Sequence, residues 1–292
     1  YEVQPDAIVS VHALCTQLAL RCLREIRKDI AVFNVVTDIM DIHRSWVAAG
    51  VDLYFAGTED AARAIEALGV PSHCIVVSGI PLRRQFWPGN GAAPHRMAGL
   101  ASTLEDVFPR SSHRLRVLAL DGGVPGPQLP QVVDTLSGAG ISMDIVVGWG
   151  GAEPPRPAHK LLGANRASVR HLALGEPISP HMRKVDLVIT KAGSVTIAES
   201  LALARPLLLH RVAPGQESSN PSLVERFGAG LHVPTLRHVV DTLRRLDACP
   251  EEIARMRANA RLHGRPDAAN DVAAHIMRSL NVAEQVCEGA AG

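Results

Sequence analysis

The stretch VDLVITKAGSVTIAES, residues 185–200, decides the fold of this chain, because it joins a strand, a turn and the start of a helix. The apolar run VDLVIT predicts a buried strand at 185–190, and the residues after the turn predict a helix at 194–204. A strand that passes through a small-residue turn into a helix is the building unit of parallel α/β sheets. The stretch therefore predicts a parallel sheet with a helix N-terminus at the carboxyl end of one strand.

The same alternation of short apolar runs and amphipathic stretches extends outward towards both ends of the chain. Strands are predicted at 7–11, 31–37, 52–56, 75–78, 116–120, 143–147, 168–172, 185–190, 206–210 and 229–233. Helices are predicted at 13–28, 59–68, 194–204 and within 250–280, and one further helix face is marked by Leu129, Val132, Val133 and Leu136. Several strands are apolar throughout, which is typical of sheets that are covered on both faces.

Local signals also indicate where elements and domains end. Thr58 is the predicted N-cap of the helix at 59–68, and Gly69 lies just past its end. Residues 88–114, which contain several prolines and glycines, break the pattern and predict a connection between two domains. The predicted fold is α/β, with two Rossmann-like domains that face a cleft. We place their limits at 1–108 and 109–275, followed by a C-terminal helix and tail at 276–292.

Composition excludes several classes of function. The 292 residues include 30 Lys and Arg against 29 Asp and Glu, and this near-neutral balance argues against a dedicated nucleic-acid binder. Aromatic residues make up only 3%, which argues against base-stacking surfaces. The five cysteines form no Cys-x-x-Cys pair, so we expect reduced thiols and no zinc ribbon. No apolar stretch approaches the roughly 20 residues of a membrane-spanning helix.

The turn after the strand at 185–190 is the strongest candidate site. Backbone N–H groups of Ser194, Val195 and Thr196 are expected to bind a phosphate at the helix N-terminus. Glu199 lies one turn further along, where its carboxylate is placed to accept hydrogen bonds from a ribose diol. A structural alternative stays open, because Thr196 and Glu199 also have the spacing of a capping box.

Two further segments follow other strands of the same series. PGQESSN at 214–220 comes after the next strand, and its polar residues Gln216, Glu217 and Asn220 are of the kind that bind sugar hydroxyls. DGGVPGP at 121–127 comes after the strand at 116–120, and its glycines permit close approach to a diphosphate. These glycines are Gly122, Gly123 and Gly126. An ordinary polar loop and a simple glycine turn are the respective alternatives.

A fourth segment, TDIMDIHRSW at 37–46, carries candidates for proton transfer. Asp38 and His43 follow the strand at 31–37 and are expected at its carboxyl end. The chain has 13 histidines, most of which are expected to be solvated or structural. Asp38 and Asp41 do not form a DxD motif, so no metal site is predicted. We interpret Arg83 and Arg84 as solvated charges, and the basic stretch at 21–28 as either a solvated face or a membrane-surface contact.

Taken together and in this order, these segments resemble glycosyltransferases of the monogalactosyldiacylglycerol synthase and processive diacylglycerol glucosyltransferase family. This group is related to the N-acetylglucosaminyltransferase that forms lipid II. The resemblance covers nearly the whole chain, and its specific part is KAG-x-x-TIAE at 191–199 followed by PGQE-x-x-N at 214–220. Further matching segments are VVTD and HRSWV within 35–47, VDLYFAGTEDAARAIEALGVP at 51–71, SGIPLRRQF at 78–86 and the glycine loop at 121–126.

The resemblance implies a GT-B fold and an inverting transfer of a hexose from UDP-glucose or UDP-galactose to a lipid such as diacylglycerol, with no metal or other cofactor. It implies that residues 1–108 bind the acceptor, with Asp38 and His43 as catalytic residues, and that residues 109–275 bind the donor. Implied donor-binding residues are Gly122, Gly123, Gly126, Ile178, Gly193, Ser194, Val195, Thr196, Glu199, Gln216, Glu217 and Asn220. The family also implies a peripheral protein on the cytoplasmic, inner face of the plasma membrane, with no nucleic-acid partner.

The resemblance leaves other functions open. A UDP-sugar epimerase, a transferase with a non-lipid acceptor and an inactive nucleotide-sugar-binding protein would share the same donor motifs. The family's first βα unit, with a glycine-rich loop and a histidine, is expected to lie upstream of Tyr1, so the N-terminal domain is expected to be incomplete. Ala204 and Arg205 stand where a turn containing glycine is common in the family.

Overall fold

A computed structural model of the chain describes residues 4–26, 28–88, 114–120, 128–150, 159–161 and 167–290. The chain forms two compact units. The first unit comprises Tyr1–Leu82, Gly215–Ser219 and Arg265–Gly292. The second comprises Arg83–Pro214 and Asn220–Gly264. The short segment Gly215–Ser219 thus belongs by its contacts to the first unit, although the residues on both sides of it belong to the second.

The first unit contains a four-stranded sheet with the order β1-β2-β3-β4, in which all neighbours are parallel. Its elements are β1 (Ala7–Ser10), α1 (Ala13–Ile26), β2 (Ala31–Val36), β3 (Leu53–Ala56), α2 (Glu59–Ala67), β4 (Ile75–Val77) and the C-terminal helix, which is numbered α9 below (Ala268–Ala290). Helix α2 begins as predicted, because the Thr58 hydroxyl accepts a hydrogen bond from the N–H of Ala61. It ends before Gly69, whose φ of 99° is left-handed.

Apolar side chains cover both faces of this sheet, because successive side chains of a strand point to opposite sides. Phe33 and Phe55 lie on one face, where Val272 of α9 packs against them. Tyr54 lies on the other face, in a cluster with Ile65 of α2. The nearly unbroken apolar sequence of β2 and β3 is explained by this double coverage.

The second unit contains a seven-stranded sheet with the order β11-β10-β9-β5-β6-β8-β7. Its strands are β5 (Leu115–Leu120), β6 (Met143–Gly148), β7 (His159–Leu161), β8 (Ala167–His171), β9 (Leu187–Lys191), β10 (Leu207–Arg211) and β11 (Gly230–His232). Its helices are α3 (Leu129–Ser137), α4 (Ser179–Met182), α5 (Ser194–Ala202), α6 (Asn220–Arg226), α7 (Leu236–Ala248) and α8 (Pro250–His263). All neighbouring strands are parallel except β7, which pairs antiparallel to β8.

The strand order of the second sheet reverses at β5. From β5 the chain builds outward through β6 and β8, and it then returns to place β9 on the other side of β5. Ligands of open α/β sheets bind outside the carboxyl ends of the strands at such a reversal. Because β9 leads into α5, the stretch quoted first in the sequence lies at this position.

Most of the predicted elements are confirmed, and the differences have local causes. The predicted face of α3 is buried, with Leu129 and Leu136 both in the core of the second unit. The helical region at 250–280 is divided at Gly264, where an added Cβ would lie 2.4 Å from the carbonyl oxygen of Leu201. The sequence pattern missed the short edge strand β7 and three helices, α4, α6 and α7.

Candidate functional site

The turn between β9 and α5 forms an open helix N-terminus at the strand-order reversal. Helix α5 begins at Ser194. Its N-cap residue is Gly193, which makes no side-chain capping bond. The first N–H groups of a helix have no partner within it, and here they belong to Ser194, Val195 and Thr196. Val195 is exposed, and the other two are half-buried. This is the geometry that binds an anion.

The capping-box alternative for Thr196 and Glu199 is wrong. Thr196 is the third residue of α5 and therefore cannot be its N-cap. The Glu199 carboxylate instead accepts a hydrogen bond from the Arg83 guanidinium, with 3.1 Å between Nη2 and Oε1. Burial raises the pKa of Glu199, and the hydrogen bond and positive charge of Arg83 act in the opposite direction. Arg83 is thus an ion-pair partner and not only a solvated charge.

Ile178 lies beside the carboxyl end of β6. It directly precedes α4, and an added Cβ on Gly148, the last residue of β6, would lie 3.7 Å from its Cδ1 atom. Ile178 therefore packs next to the carboxyl end of β6, and its contact with a nucleotide base stays a prediction. The position is half-buried, which leaves part of the side chain available for contact.

A buried polar network holds the loop that carries Ile178. One carboxylate oxygen of Glu176 contacts the Arg170 guanidinium at 2.9 Å and the His181 ring at 2.8 Å. The other accepts the N–H of Ala173 at 2.9 Å. Burial acts to raise the pKa of Glu176, but these hydrogen bonds and the charge of Arg170 lower it overall. The loop from β8 to α4 is therefore fixed by an ionised glutamate.

Asn220 is fully buried and is the first residue of α6, not part of a loop. Its amide donates to the carbonyl of Ala192 at 2.8 Å and to the Ser194 hydroxyl at 3.3 Å. Asn220 therefore stabilises the turn that precedes α5. A direct contact with the donor sugar stays a prediction. The predicted glycines Gly122, Gly123 and Gly126 lie outside the described residues.

In the first unit, Asp38 is a buried carboxylate at the carboxyl end of β2. Its Oδ2 atom accepts a hydrogen bond of 2.7 Å from the Trp46 indole, and the Trp46 carbonyl is in turn bound by Asn34. Burial raises the pKa of Asp38, the Trp46 bond lowers it, and the charges of Glu217 and Asp41 raise it again. A weakly solvated carboxylate of raised pKa is a suitable proton acceptor.

His43 is exposed and caps the short turn Arg44–Trp46. Its Nδ1 atom accepts the N–H of Ser45 at 3.2 Å and contacts the Ser45 hydroxyl at 2.8 Å. This position gives His43 a structural role in the turn that holds Trp46. Its predicted role in proton transfer stays a prediction.

Segment Gly215–Ser219 packs against the Asp38 loop within the first unit. Ser219 donates its N–H and its hydroxyl to the Asp41 carboxylate, both at 2.9 Å. Gln216 is exposed, whereas Glu217 is buried and close enough for its negative charge to raise the pKa of Asp38. Sequence reasoning did not identify Asp41, because its partner lies 178 positions away.

No three or more His, Cys, Asp or Glu side chains form a group that could hold a metal ion within the described ranges. In the same ranges, no helix has the length and apolar character required to cross a membrane.

Comparisons with known proteins agree with this description. Residues 1–82 match the family model of monogalactosyldiacylglycerol (MGDG) synthase. The chain is 26% identical over 260 residues to the processive diacylglycerol beta-glucosyltransferase of Bacillus subtilis. The match covers 88% of this chain and 65% of that relative, so the chain spans less than two thirds of the length of the relative.

Two solved structures share the fold at low sequence identity. MurG of Acinetobacter baumannii has a TM-score of 0.64 at 14% identity, with 94% of this chain and 73% of MurG covered. UDP-GlcNAc 2-epimerase from Neisseria meningitidis, bound to UDP-GlcNAc, has a TM-score of 0.59 at 13% identity, with 94% and 76% covered. The GT-B prediction is thus confirmed. In sequence, the chain is similar to the monogalactosyldiacylglycerol synthase family over residues 1–82 and to the processive diacylglycerol beta-glucosyltransferase of Bacillus subtilis over 260 residues.

Proposed function

We propose that the chain transfers a hexose, with inversion, from UDP-glucose or UDP-galactose to a lipid acceptor such as diacylglycerol. The observation that carries the proposal is the N-terminus of α5, where N–H groups that have no partner within the helix lie one turn from the buried carboxylate of Glu199. A nucleoside diphosphate presents a charged diphosphate and a ribose diol. These two groups complement a helix N-terminus and a carboxylate.

On the donor side, the first turn of α5 binds the diphosphate and Glu199 accepts hydrogen bonds from the ribose. The base lies against Ile178, on the loop that Glu176 fixes. Negative charge on the diphosphate increases as the bond to the sugar breaks. Backbone N–H groups of Ser194 to Thr196, aided by the helix dipole, stabilise that charge without a metal ion.

On the acceptor side, Asp38 removes the proton from the attacking hydroxyl. The hydroxyl oxygen attacks the anomeric carbon, the bond from that carbon to the diphosphate oxygen breaks, and UDP leaves. A single displacement of this kind inverts the anomeric centre. The Trp46 indole fixes the orientation of the Asp38 carboxylate, and His43 caps the turn that presents Trp46. His43 is the second candidate for proton transfer.

A lipid acceptor is supported by the family match of residues 1–82 and by the name of the Bacillus subtilis relative. Helix α1 offers a suitable surface for peripheral attachment to the inner face of the plasma membrane. Leu14, Leu18 and Ile26 are exposed on one side of α1, and the exposed Arg21 lies next to them. Salt-sensitive cosedimentation with anionic vesicles is the expected result, and its absence would contradict membrane attachment.

The test is a panel of UDP-sugars incubated with vesicles that contain diacylglycerol. We expect UDP release to require diacylglycerol and to yield a glycolipid of inverted anomeric configuration. EDTA should leave the rate unchanged. Glu199→Ala should raise the donor KM, whereas Arg237→Met, at an exposed position of α7, should not. No transfer from any UDP-sugar would overturn the proposal.

A second candidate is a UDP-sugar epimerase, which the fold similarity to the Neisseria meningitidis enzyme favours. An epimerase converts its substrate without an acceptor. Incubation with each UDP-sugar in the absence of lipid separates the two functions, because only the epimerase would convert the sugar under that condition.

A further inference from the structure

Glu199, which the proposed function assigns to ribose binding, is already paired with a positive charge. The Arg83 guanidinium donates to its Oε1 atom at 3.1 Å. The Glu199 side chain is 7% exposed and that of Arg83 is 67% exposed, so the carboxylate is buried behind an accessible guanidinium. Both residues belong to the second unit, although they are 116 positions apart in the sequence.

The position of Arg83 is fixed by its surroundings. It directly precedes the turn Arg84–Phe86, and its guanidinium lies 5.5 Å from the centroid of the fully buried Phe86 ring. Arg183 holds the same turn by donating to the carbonyls of Gln85 at 3.0 Å and Trp87 at 3.2 Å. The turn therefore places Arg83 beside Glu199.

The pair leaves hydrogen-bonding capacity on the carboxylate. An ionised carboxylate has about four acceptor sites, and Arg83 occupies one of them. Among the described residues, Arg83 is the charged side chain that acts on Glu199, even though α8 also packs against α5. Acceptor sites for both ribose hydroxyls therefore remain on this carboxylate while the pair with Arg83 persists.

The charge of Arg83 opposes the effect of burial. Burial raises the pKa of Glu199, and a protonated Glu199 would lose acceptor sites for the ribose. The hydrogen bond and charge of Arg83 lower the pKa and so favour the ionised form. Without Arg83, a larger fraction of Glu199 would be protonated in mildly acidic solution.

We propose that Arg83 is a positioning residue for the donor, because its hydrogen bond to Oε1 holds the Glu199 carboxylate in place for the ribose of a bound nucleoside diphosphate. This inference rests on the proposed function, because it requires that Glu199 binds ribose. Arg83 acts through Glu199 and needs no contact of its own with the nucleotide.

The test is a double-mutant cycle on the full chain, with calorimetric measurement of the Kd for UDP. We expect Arg83→Met to raise that Kd about 3- to 10-fold at about pH 5.5, because the Glu199 carboxylate loses a partly exposed charged hydrogen bond and is also protonated in a larger fraction of molecules. The increase should be smaller at about pH 8.5, where Glu199 is ionised in both proteins. In a Glu199→Gln background, Arg83→Met should cause no further increase.

Two controls separate positioning from general effects. Arg237→Met removes an equally positive but exposed side chain and should leave the Kd unchanged at both pH values. Arg83→Lys keeps the charge and should retain most of the wild-type affinity for UDP. If Arg83→Met does not fold, the Kd of Arg83→Lys is measured in its place at both pH values. With 2′-deoxy-UDP as the probe, the effect of Arg83→Met should shrink, because one of the hydroxyls that Glu199 binds is missing.

The possible failures are distinguishable. An unchanged Kd in Arg83→Met, or a full effect of Arg83→Met in the Glu199→Gln background, would overturn the inference and leave the donor site intact. The second result would mean that Arg83 acts on the nucleotide directly. A wild-type chain that does not bind UDP, or a Glu199→Gln variant with unchanged affinity, would overturn the donor site itself and this inference with it.

Discussion

Asp41 and Ser219 are joined by two hydrogen bonds, since the Asp41 carboxylate accepts both the N–H and the hydroxyl of Ser219 at 2.9 Å. This pair fastens segment Gly215–Ser219 to the loop that follows β2. The segment carries Gln216 and Glu217, and the loop carries Asp38. The segment predicted to bind the donor and the proposed proton acceptor are therefore held together within the first unit.

Removal of the Asp41 carboxylate should weaken donor binding. We expect Asp41→Ala to raise the donor KM about 3- to 10-fold, because segment Gly215–Ser219 loses two hydrogen bonds, one of them from its backbone. Ser219→Ala keeps the backbone bond and should have a smaller effect. Asp241→Ala, at an exposed position of α7, is the control, and equal KM values for all these proteins would contradict a role for the pair.

Asp38→Asn should reduce kcat about 10²- to 10⁴-fold with little change in donor KM, because an amide cannot accept the proton of the acceptor hydroxyl. Steady-state rates with diacylglycerol vesicles measure this effect. In the wild-type chain, activity should fall as the pH decreases through the pKa of Asp38. That pKa lies above the ordinary aspartate value, because burial and the charges of Glu217 and Asp41 raise it.

Trp46→Phe should move the acid limb of this pH profile to higher pH. The Trp46 indole donates to the charged form of Asp38, so its loss removes a contribution that lowers the pKa. Phenylalanine keeps most of the buried ring. An acid limb that stays in place, in a variant with wild-type stability, would show that another group titrates.

Ala204→Gly should stabilise the protein. Ala204 follows α5 with a φ of 53°, in the left-handed region that favours glycine, and this explains why glycine is common there in the resembling family. We expect the free energy of unfolding in urea denaturation to increase by about 0.5–1 kcal/mol, because the left-handed strain relieved, about 1–2 kcal/mol, exceeds the added chain entropy of glycine. Ala202→Gly, at the last residue of α5, should instead decrease it by a similar amount. A decrease in both variants would contradict strain at Ala204.

Glu176→Gln should reduce stability at neutral pH by about 1–2 kcal/mol, because Arg170 and His181 lose an ionised partner. The folded state lowers the pKa of Glu176, so its stabilisation is present above the unfolded pKa and is lost as the pH falls through the folded pKa. The difference between wild type and Glu176→Gln should therefore narrow below about pH 4.3. Urea unfolding over a pH series measures it, with exposed Asp134→Asn as the control.

The sequence predicts those features that depend on neighbouring residues. The N-cap at Thr58, the buried face of α3 and the strand–turn–helix at 185–200 follow from local spacing, and the structure confirms all three. The position of Glu199 one turn into α5 follows from the same spacing.

Features that depend on distant residues were missed. Arg83 has the sequence context of a solvated charge, and only the folded chain brings it to Glu199. Asp41 meets Ser219 for the same reason. The capping-box interpretation of Thr196 was wrong because Gly193 already occupies the N-cap position, which the three-residue spacing of Thr196 and Glu199 does not reveal.

Segment Gly215–Ser219 has a practical consequence for chimeras that exchange part of this chain with a relative. A swap of residues 83–264 would replace Ser219 but retain Asp41, and so would separate two residues that fit each other. Such a chimera would carry new side chains at positions 216 and 217 on a poorly anchored segment, and under the proposed function its lower activity would be misread as a change in donor preference. Residue 41 therefore has to be exchanged together with the second unit.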